Sequence, residues 1–266
     1  MKYAAIALLS AVLFFFCDSC QKTVTLDLNT APAQIVIQGE VTNAAGPYTV
    51  TINQTTGFYE DNIFPAISGA SVKISDGQGV TDSLTETSPG TYTTHVLQGQ
   101  PGNTYTLTVF ALQTTYTAVS TMPQPVPLDS VTFQNSTRLR KTTITALANF
   151  QDPGGVKNYY QFIQYINGVQ FTKSIYVFDD RLSDGRYISY NLRMDSTYLS
   201  IGDQVKVVMN CIDENVYNYF YQLNQSSSTG VFNTTAAPAN PSTNISNGSY
   251  GYFSAHTTNS RTATVE

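Results

Sequence analysis

Short runs in which apolar residues alternate with threonine constrain the fold of this chain more than any other feature of its sequence. Residues 48–52 (YTVTI) and 105–109 (YTLTV) both repeat with a period of two. This alternation places every second side chain on the same face of an extended strand. Turn residues separate the runs, as at Asp76-Gly77. About seven such strands over residues 33–122 are typical of an antiparallel β-sandwich.

One segment indicates that the sandwich is immunoglobulin-like. Residues 97–107 (LQGQPGNTYTL) resemble the start of a late strand in fibronectin-type and other immunoglobulin-like domains. In that corner a tyrosine hydroxyl forms a hydrogen bond with the backbone a few residues upstream. We expect Tyr105 to fill this role. A plain core tyrosine at the same position would predict the same fold.

The second half of the chain is expected to form a β-rich domain over residues 129–266. Prolines alternate in residues 123–128 (PQPVPL), and this pattern favours an extended, stiff linker between the two domains. Strand-like runs of the second half are predicted at residues 158–166, 171–178, 186–194 and 205–209.

Two strand pairs and one helix complete the prediction for this half. The polar turn 179–185 is expected to join the runs before and after it into one pair. Residues 250–255 and 262–265 are expected to form a final pair. One helix is expected near residues 214–224, because Asp213 can cap its N-terminus and apolar residues follow at helical spacing.

The first residues of the chain predict export. Lys2 precedes an apolar run over residues 4–16 that only Ser10 interrupts. A membrane-spanning helix needs about 20 residues, and this run is shorter. A basic start followed by a short apolar core is typical of a secretory signal peptide, which we assign to residues 1–19.

Cys20 is interpreted as the lipidated first residue of a bacterial lipoprotein, because it follows the small residue Ser19 at the end of the signal peptide. Several acyl chains on one cysteine hold a protein stably at a membrane. Residues 20–32 would then form a polar leash, and the membrane would be one partner of the protein. Ordinary signal cleavage that leaves Cys20 as a free thiol is the alternative.

Composition excludes several classes of function. Only 12% of the residues are charged, against about 25% in an ordinary soluble domain. A net charge of −5 with only 13 basic residues argues against a nucleic-acid partner. Two histidines cannot build a three-histidine zinc site. No phosphate-binding or dinucleotide-binding glycine motif occurs, and no cofactor is expected.

The densest acidic group is a speculative cation site. Asp179, Asp180 and Asp184 lie in one turn, and carboxylate oxygens are the ligands that Ca²⁺ prefers. Arg181 lies among them, and the spacing is not that of an EF-hand. A solvated turn without a metal is therefore the alternative.

A hydrolase finds little support in the sequence. Catalysis by a serine and a histidine would need His95 or His256 as the base. We expect His95 at a surface or half-buried strand position and His256 at the surface. No serine lies in a G-x-S-x-G turn. Cys211 lies beside an apolar run, so we expect a buried, inert thiol instead of a nucleophile.

Several segments together resemble a known family. In chain order they are 69–74 (GASVKI), 90–92 (GTY), 102–107 (GNTYTL), 150–153 (FQDP), 158–160 (NYY), 180–181 (DR), 184–185 (DG), 202–203 (GD), 217–220 (YNYF), 238–245 (PANPSTNI) and 251–255 (GYFSA). Their order resembles the Bacteroidota lipoprotein family catalogued as domain of unknown function 4249. The resemblance implies an outer-membrane lipoprotein, of a kind often encoded beside TonB-dependent transporters. It brings no catalytic residue with it.

The resemblance leaves the orientation of the protein open. Residues 21–24 (QKTV) lack the acidic cluster that follows the lipidated cysteine in some surface-exported lipoproteins of this phylum. Both the surface and the periplasmic face of the outer membrane therefore remain alternatives.

The expected function is non-catalytic binding at the outer membrane. We expect an accessory or binding partner of a TonB-dependent transport system, which binds the receptor, its ligand or both. A surface adhesin or glycan-binding module is the alternative, since the chain has 18 tyrosines and tyrosine is enriched at binding surfaces.

Overall fold

The computed structural model of the protein describes residues 32–57, 64–138, 141–194, 199–227 and 240–266. The predicted signal peptide, Cys20 and most of the predicted leash lie outside these residues. All described residues except Pro32 and Gly57 belong to one compact unit. No helix in the described ranges is long and apolar enough to cross a membrane.

Two sheets enclose the first hydrophobic core. Their strands are β1 (Ile35–Thr42), β2 (Thr49–Gln54), β3 (Ser71–Ser75), β4 (Thr81–Ser83), β5 (Thr85–Ser88), β6 (Thr91–Thr93), β7 (Thr104–Ala111) and β8 (Thr114–Thr121). One sheet contains the order β1-β2-β6-β5 and the other β4-β3-β7-β8. The apolar residues of the alternating runs face the core from both sides; Val50, Ile52 and Leu107 are buried there. This arrangement is the sandwich that a period of two predicts.

Tyr105 lies at the expected corner. Its ring is fully buried in the first core. Its hydroxyl oxygen accepts a hydrogen bond from the N–H of Gln100, with 2.6 Å between nitrogen and oxygen. The same hydroxyl lies 3.4 Å from the carbonyl oxygen of Gln100. Tyr105 therefore ties the loop before β7 to the strand itself.

The second half of the chain encloses another core. Its elements are β9 (Ser130–Arg138), β10 (Lys141–Gln151), β11 (Tyr159–Ile166), β12 (Val169–Gln170), β13 (Tyr176–Asp179), β14 (Tyr187–Leu192), β15 (Gln204–Ile212), α1 (Glu214–Ser227) and β16 (Tyr250–Thr264). Strands β14-β10-β9 form one sheet. Strands β11 and β15 belong to the long sheet of order β12-β11-β15-β16-β1-β2-β6-β5, which also covers the first core. Val126 and Leu128 of the proline-rich segment are buried in this core. The mainly β fold with one helix is thus confirmed for the described residues.

The last strand corrects one detail of the prediction. Residues 250–264 form the single strand β16, and not a strand pair. The first half of β16 runs parallel to β1, and the second half runs antiparallel to β15. A single strand spans both regions because each half has a different neighbour. Ile245, Phe253 and Ala255 consequently lie in the first core, although the sequence division placed them with the second half.

Strands β13 and β14 are the second correction, because they do not form the expected pair. Strand β13 pairs with β11, and β14 pairs with β10. The two strands flank the same turn but belong to different sheets. The turn 180–186 therefore crosses from one sheet to the other and leaves a seam between their edges.

Helix α1 begins where the sequence predicts. The Asp213 carboxylate accepts a hydrogen bond from the N–H of Val216 at 2.9 Å, as an N-cap does. Val216 and Tyr217 are buried against Ile212 at the end of β15. The last residues of β15 are buried on both faces, because α1 covers one face and the second core the other.

Gly251 tests how strongly the structure depends on the pairing of β1 with β16. Its φ is +97°, and a Cβ atom there would lie 1.9 Å from the carbonyl oxygen of Ile37. We expect Gly251→Ala to lower the free energy of unfolding by about 3 kcal/mol or more, because backbone would have to move. Gly168→Ala is the matched control, with φ +83° and open space around the new methyl group. It should cost only about 1–2 kcal/mol.

Urea denaturation of both variants and of the wild type measures this difference. Equal losses for the two variants would contradict the proposed role of the close contact between β1 and β16.

Candidate functional site

A groove follows the seam between β13 and β14. We call it the seam groove; it is lined by residues 178–179, 181–183 and 186–191. Its volume is about 760 Å³, within the range of about 300–1,000 Å³ that is typical of ligand sites. It exists because the two strands of the expected pair belong to different sheets.

Aromatic side chains form the floor of the seam groove. The ring centroids of Phe178 and Tyr190 lie 5.5 Å apart, and Tyr190 stacks on Phe162 at 4.7 Å. The Tyr190 hydroxyl donates a hydrogen bond to the carbonyl oxygen of Val177 at 3.1 Å. This bond connects β14 to β13 through a side chain, whereas paired strands are connected by hydrogen bonds between their backbones. The floor is therefore fixed by packing and by a hydrogen bond.

The rim of the seam groove carries charged side chains. Arg181 holds Asp179 with two bonds, from Nε at 2.8 Å and from Nη2 at 2.9 Å. Tyr217 also donates to Asp179, at 2.6 Å. Burial alone would raise the pKa of Asp179, but these bonds outweigh it and lower the pKa below its usual value. The negative charge of Asp179 is thus satisfied within the protein.

Other rim residues are open to solvent. Leu182 is 92% exposed and Tyr187 is 56% exposed. The Arg186 side chain is also exposed, and its guanidinium makes no ion pair or hydrogen bond with any other described residue. An apolar side chain, an aromatic ring and an unpaired cation therefore surround the opening.

The structure gathers a different acidic group from the one that the sequence indicated. Oxygens of Asp152, Asp180 and Asp184 lie within 4.8 Å of one another. Asp179 is not among them, because its carboxylate faces Arg181 and Tyr217. Asp152 precedes β11 by several residues, and only the folding of the turn 180–186 onto this segment brings it to Asp180 and Asp184. Sequence reasoning missed Asp152, although it lies in the FQDP segment of the family resemblance.

Hydrogen bonds within the protein account for this acidic cluster. Asp152 accepts bonds from the Tyr160 hydroxyl at 2.5 Å and from the N–H of Gly185 at 3.0 Å. Asp180 accepts from the N–H of Asn158 at 2.9 Å, and Asp184 from that of Gly155 at 2.8 Å. Three oxygens of this kind suit a hard cation. These bonds tie the turn 180–186 to the segment before β11, and a cation at the cluster stays a prediction.

A second groove lies on the outer face of strands β16, β1 and β2. We call it the sheet-face groove; its volume is about 410 Å³. Its lining residues are 38–40, 42, 45, 47–49, 51 and 252. Tyr252 packs against Phe220 of α1 at 4.9 Å and donates from its hydroxyl to Glu40 at 2.8 Å. The side chains of Gln38 and Thr49 are exposed and make no hydrogen bond with other described residues.

The two histidines differ in their surroundings. His95 is exposed, and its Nε2 lies 2.8 Å from the hydroxyl of Thr85. His256 was expected at the surface, and this prediction is wrong. It is only 4% exposed, because it lies in the central part of β16 between neighbouring strands. Its Nδ1 is 2.9 Å from the Ser254 hydroxyl. Ser254 is itself 1% exposed, so a substrate cannot reach this pair.

Cys211 is a free, buried thiol in the second core. Burial raises its pKa, which keeps the sulfur protonated. A protonated, inaccessible thiol is a poor nucleophile. This agrees with the interpretation of Cys211 as a packing residue.

Comparison with known proteins identifies a family that the sequence matches. The sequence model of a family described as Domain of unknown function (DUF4249) matches residues 21–262. No curated protein matches the chain.

Buried His256 makes stability depend on pH. Burial lowers its pKa below 6.5, against the opposing effect of Glu40 and Asp213. Below about pH 6.5 the unfolded chain therefore takes up a proton that the folded protein does not, and folding loses free energy as the pH falls. We expect the free energy of unfolding to fall by up to about 1 kcal/mol from this group between pH 7 and pH 5.5.

Denaturation curves at the two pH values, for wild type and His256→Gln, measure this contribution. The variant should show a smaller loss between pH 7 and pH 5.5. An identical loss in both proteins would contradict the assignment to His256.

Proposed function

This chain belongs to the family of Domain of unknown function (DUF4249), and we propose that it is a non-catalytic, lipid-anchored binding protein of the outer membrane. In this proposal it acts as an accessory or binding partner of a TonB-dependent transport system. The seam groove is the observation that carries the proposal. Its rim joins exposed apolar and aromatic side chains to a cation that has no partner in the described part of the chain.

The start of the sequence supports the anchor. Lys2 and the apolar run 4–16 fit a signal peptide, and Cys20 follows at the expected cleavage site. The twelve residues 21–32 could span at most about 40 Å when fully extended. A leash of this length keeps the folded unit close enough to a membrane to contact a protein embedded there.

The composition of the seam groove supports a protein partner. Leu182 and Tyr187 are large apolar side chains that the fold leaves in solvent. Arg186 adds a charge beside them. Tyrosine and arginine are enriched at protein interfaces, and apolar anchors beside them supply binding energy. Because the aromatic side chains of the floor are already packed, a partner would bind with little loss of side-chain entropy.

Leu182→Asp tests whether the seam groove contacts a transporter. We expect the full-length wild type, purified from native membranes in mild detergent, to bring a TonB-dependent transporter with it. The variant should lose most of this transporter, because a charge would be buried in the interface. Ile201→Asp is the matched control, since Ile201 is 77% exposed and lies outside the groove.

Cys20→Ala completes this test. It should remove label from a fatty-acid probe and release the protein from the membrane fraction. Wild-type protein that takes up no label, or that never recovers a transporter, would contradict the proposal.

A glycan-binding module is the second candidate, and the sheet-face groove favours it. Aromatic rings and planar polar side chains are a common combination at sugar sites, because they offer stacking and hydrogen bonds together. Tyr252 supplies the ring, and Glu40 and Gln38 supply the polar groups. None of the described residues that line the groove is cationic, so a neutral sugar fits it better than an acidic one.

Glu40→Gln combined with Gln38→Ala tests this candidate. On an array of neutral host and plant oligosaccharides, any sugar bound by the wild type should bind about tenfold more weakly to the double variant. Asn135→Ala, an exposed polar position on β9, is the control and should bind as the wild type does. A blank array for the wild type would rule out this function.

A further inference from the structure

We infer that the seam groove is a strand-addition site, in which an extended segment of a partner protein pairs with the free edge of β14. This inference rests on the proposed function in one respect, namely that the partner is a protein. It goes further by identifying the conformation of the bound segment and the chemistry that the groove selects.

The lining of the groove shows that it follows a strand edge. All five consecutive residues from Tyr187 to Asn191 line it. Successive side chains of a strand point to opposite faces of its sheet. In β14 they alternate between exposed and half-buried over these residues. A groove over one face of the sheet would be lined by every second residue of β14. This groove is lined by all five consecutive residues, so it follows the backbone edge of the strand.

No strand of the described residues pairs with this edge. Strand β14 is the end of the sheet β14-β10-β9 in the described part of the chain. Strand β13 lies across the groove, but its backbone pairs with β11. Two tyrosine hydroxyls bridge the seam, from Tyr190 to the carbonyl oxygen of Val177 and from Tyr176 to that of Arg193. With respect to the described residues, backbone groups along the outer side of β14 are thus available to an added strand.

The sequence of β14 does not protect this edge. Natural edge strands often carry lysine, proline or a bulge that prevents pairing with another chain. Residues 187–192 (YISYNL) contain neither lysine nor proline, and their register with β10 is continuous. Six residues of extended chain measure about 20 Å. This length is sufficient for a specific backbone ladder.

The rim indicates which segment would bind. Arg186 precedes β14 directly, and its guanidinium has no anionic partner among the described residues. Asp179 is already occupied by Arg181 and Tyr217. A carboxylate on the bound segment would therefore meet Arg186, and apolar side chains would meet Leu182 and Tyr187. The partner segment is an extended peptide with alternating apolar residues and one carboxylate near the end beside Arg186.

A peptide with methylated backbone nitrogens tests the inference. Ten-residue random peptides on a display library are selected against the full-length chain in detergent, and the best binder is synthesised with single N-methyl groups. In a strand pair, alternate residues direct their N–H groups to the neighbour. We expect methylation at alternate positions to weaken binding about tenfold and at the positions between them to have little effect.

Charge reversal on the protein provides the second readout. Arg186→Glu should weaken the selected peptide about tenfold, and a basic residue in place of its carboxylate should restore binding to the variant. Arg261→Glu, on β16 outside the groove, is the control and should bind like the wild type. A peptide with an amidated C-terminus shows whether the carboxylate belongs to a side chain or to the chain end.

Several results would overturn the inference. They are a library without any binder that depends on Arg186, a binder insensitive to every N-methyl group, and a concentration-dependent dimer of the protein that Arg186→Glu abolishes. The last result would make a second copy of this chain the occupant. If a transporter still co-purified with Arg186→Glu and was lost from Leu182→Asp, the proposed function would stand and strand addition would fail.

Discussion

The structure depends on the two-sided pairing of the C-terminal strand β16. Its first half lies parallel to β1 and its second half antiparallel to β15, so one strand continues the hydrogen bonding past both cores. Phe253 and Ala255 of β16 lie in the first core, and Val265, directly after the strand, lies in the second. Residues from the two ends of the described chain meet here. Contacts of such long sequence separation carry a large cost in loop-closure entropy and form slowly.

The seam groove also results from the choice of neighbouring strands. Strands β13 and β14 are joined by a short turn, as the strands of a hairpin are, but β13 pairs with β11 and β14 pairs with β10. The turn between them is held by the carboxylates of Asp152, Asp180 and Asp184, which accept backbone N–H bonds from the two segments. These carboxylates therefore stabilise the turn beside the groove.

The chemistry of the surface agrees with a binding role. Ser254 and His256 are adjacent but inaccessible, and Cys211 is buried with a raised pKa. The accessible groups are different in kind: exposed Leu182, Tyr187 and Arg186 at one groove, and Glu40, Gln38 and Tyr252 at the other. These side chains offer apolar contact, charge and hydrogen bonds. Such a surface is suited to recognising a partner, in keeping with our proposal for an anchored accessory protein.

The sequence by itself determined the local elements, since their signals involve residues close in the chain. The period of two identified β2 and β7, and the capping aspartate with helical spacing identified α1. The tertiary structure alone decided which strands pair, and with that the single strand β16, the open seam, the burial of His256 and the place of Asp152 in the acidic cluster. Periodicity fixes which face of a strand is apolar, but it carries no information about the neighbouring strand. That choice depends on contacts between residues far apart in the chain, where packing and hydrogen bonding of the whole unit are decided together.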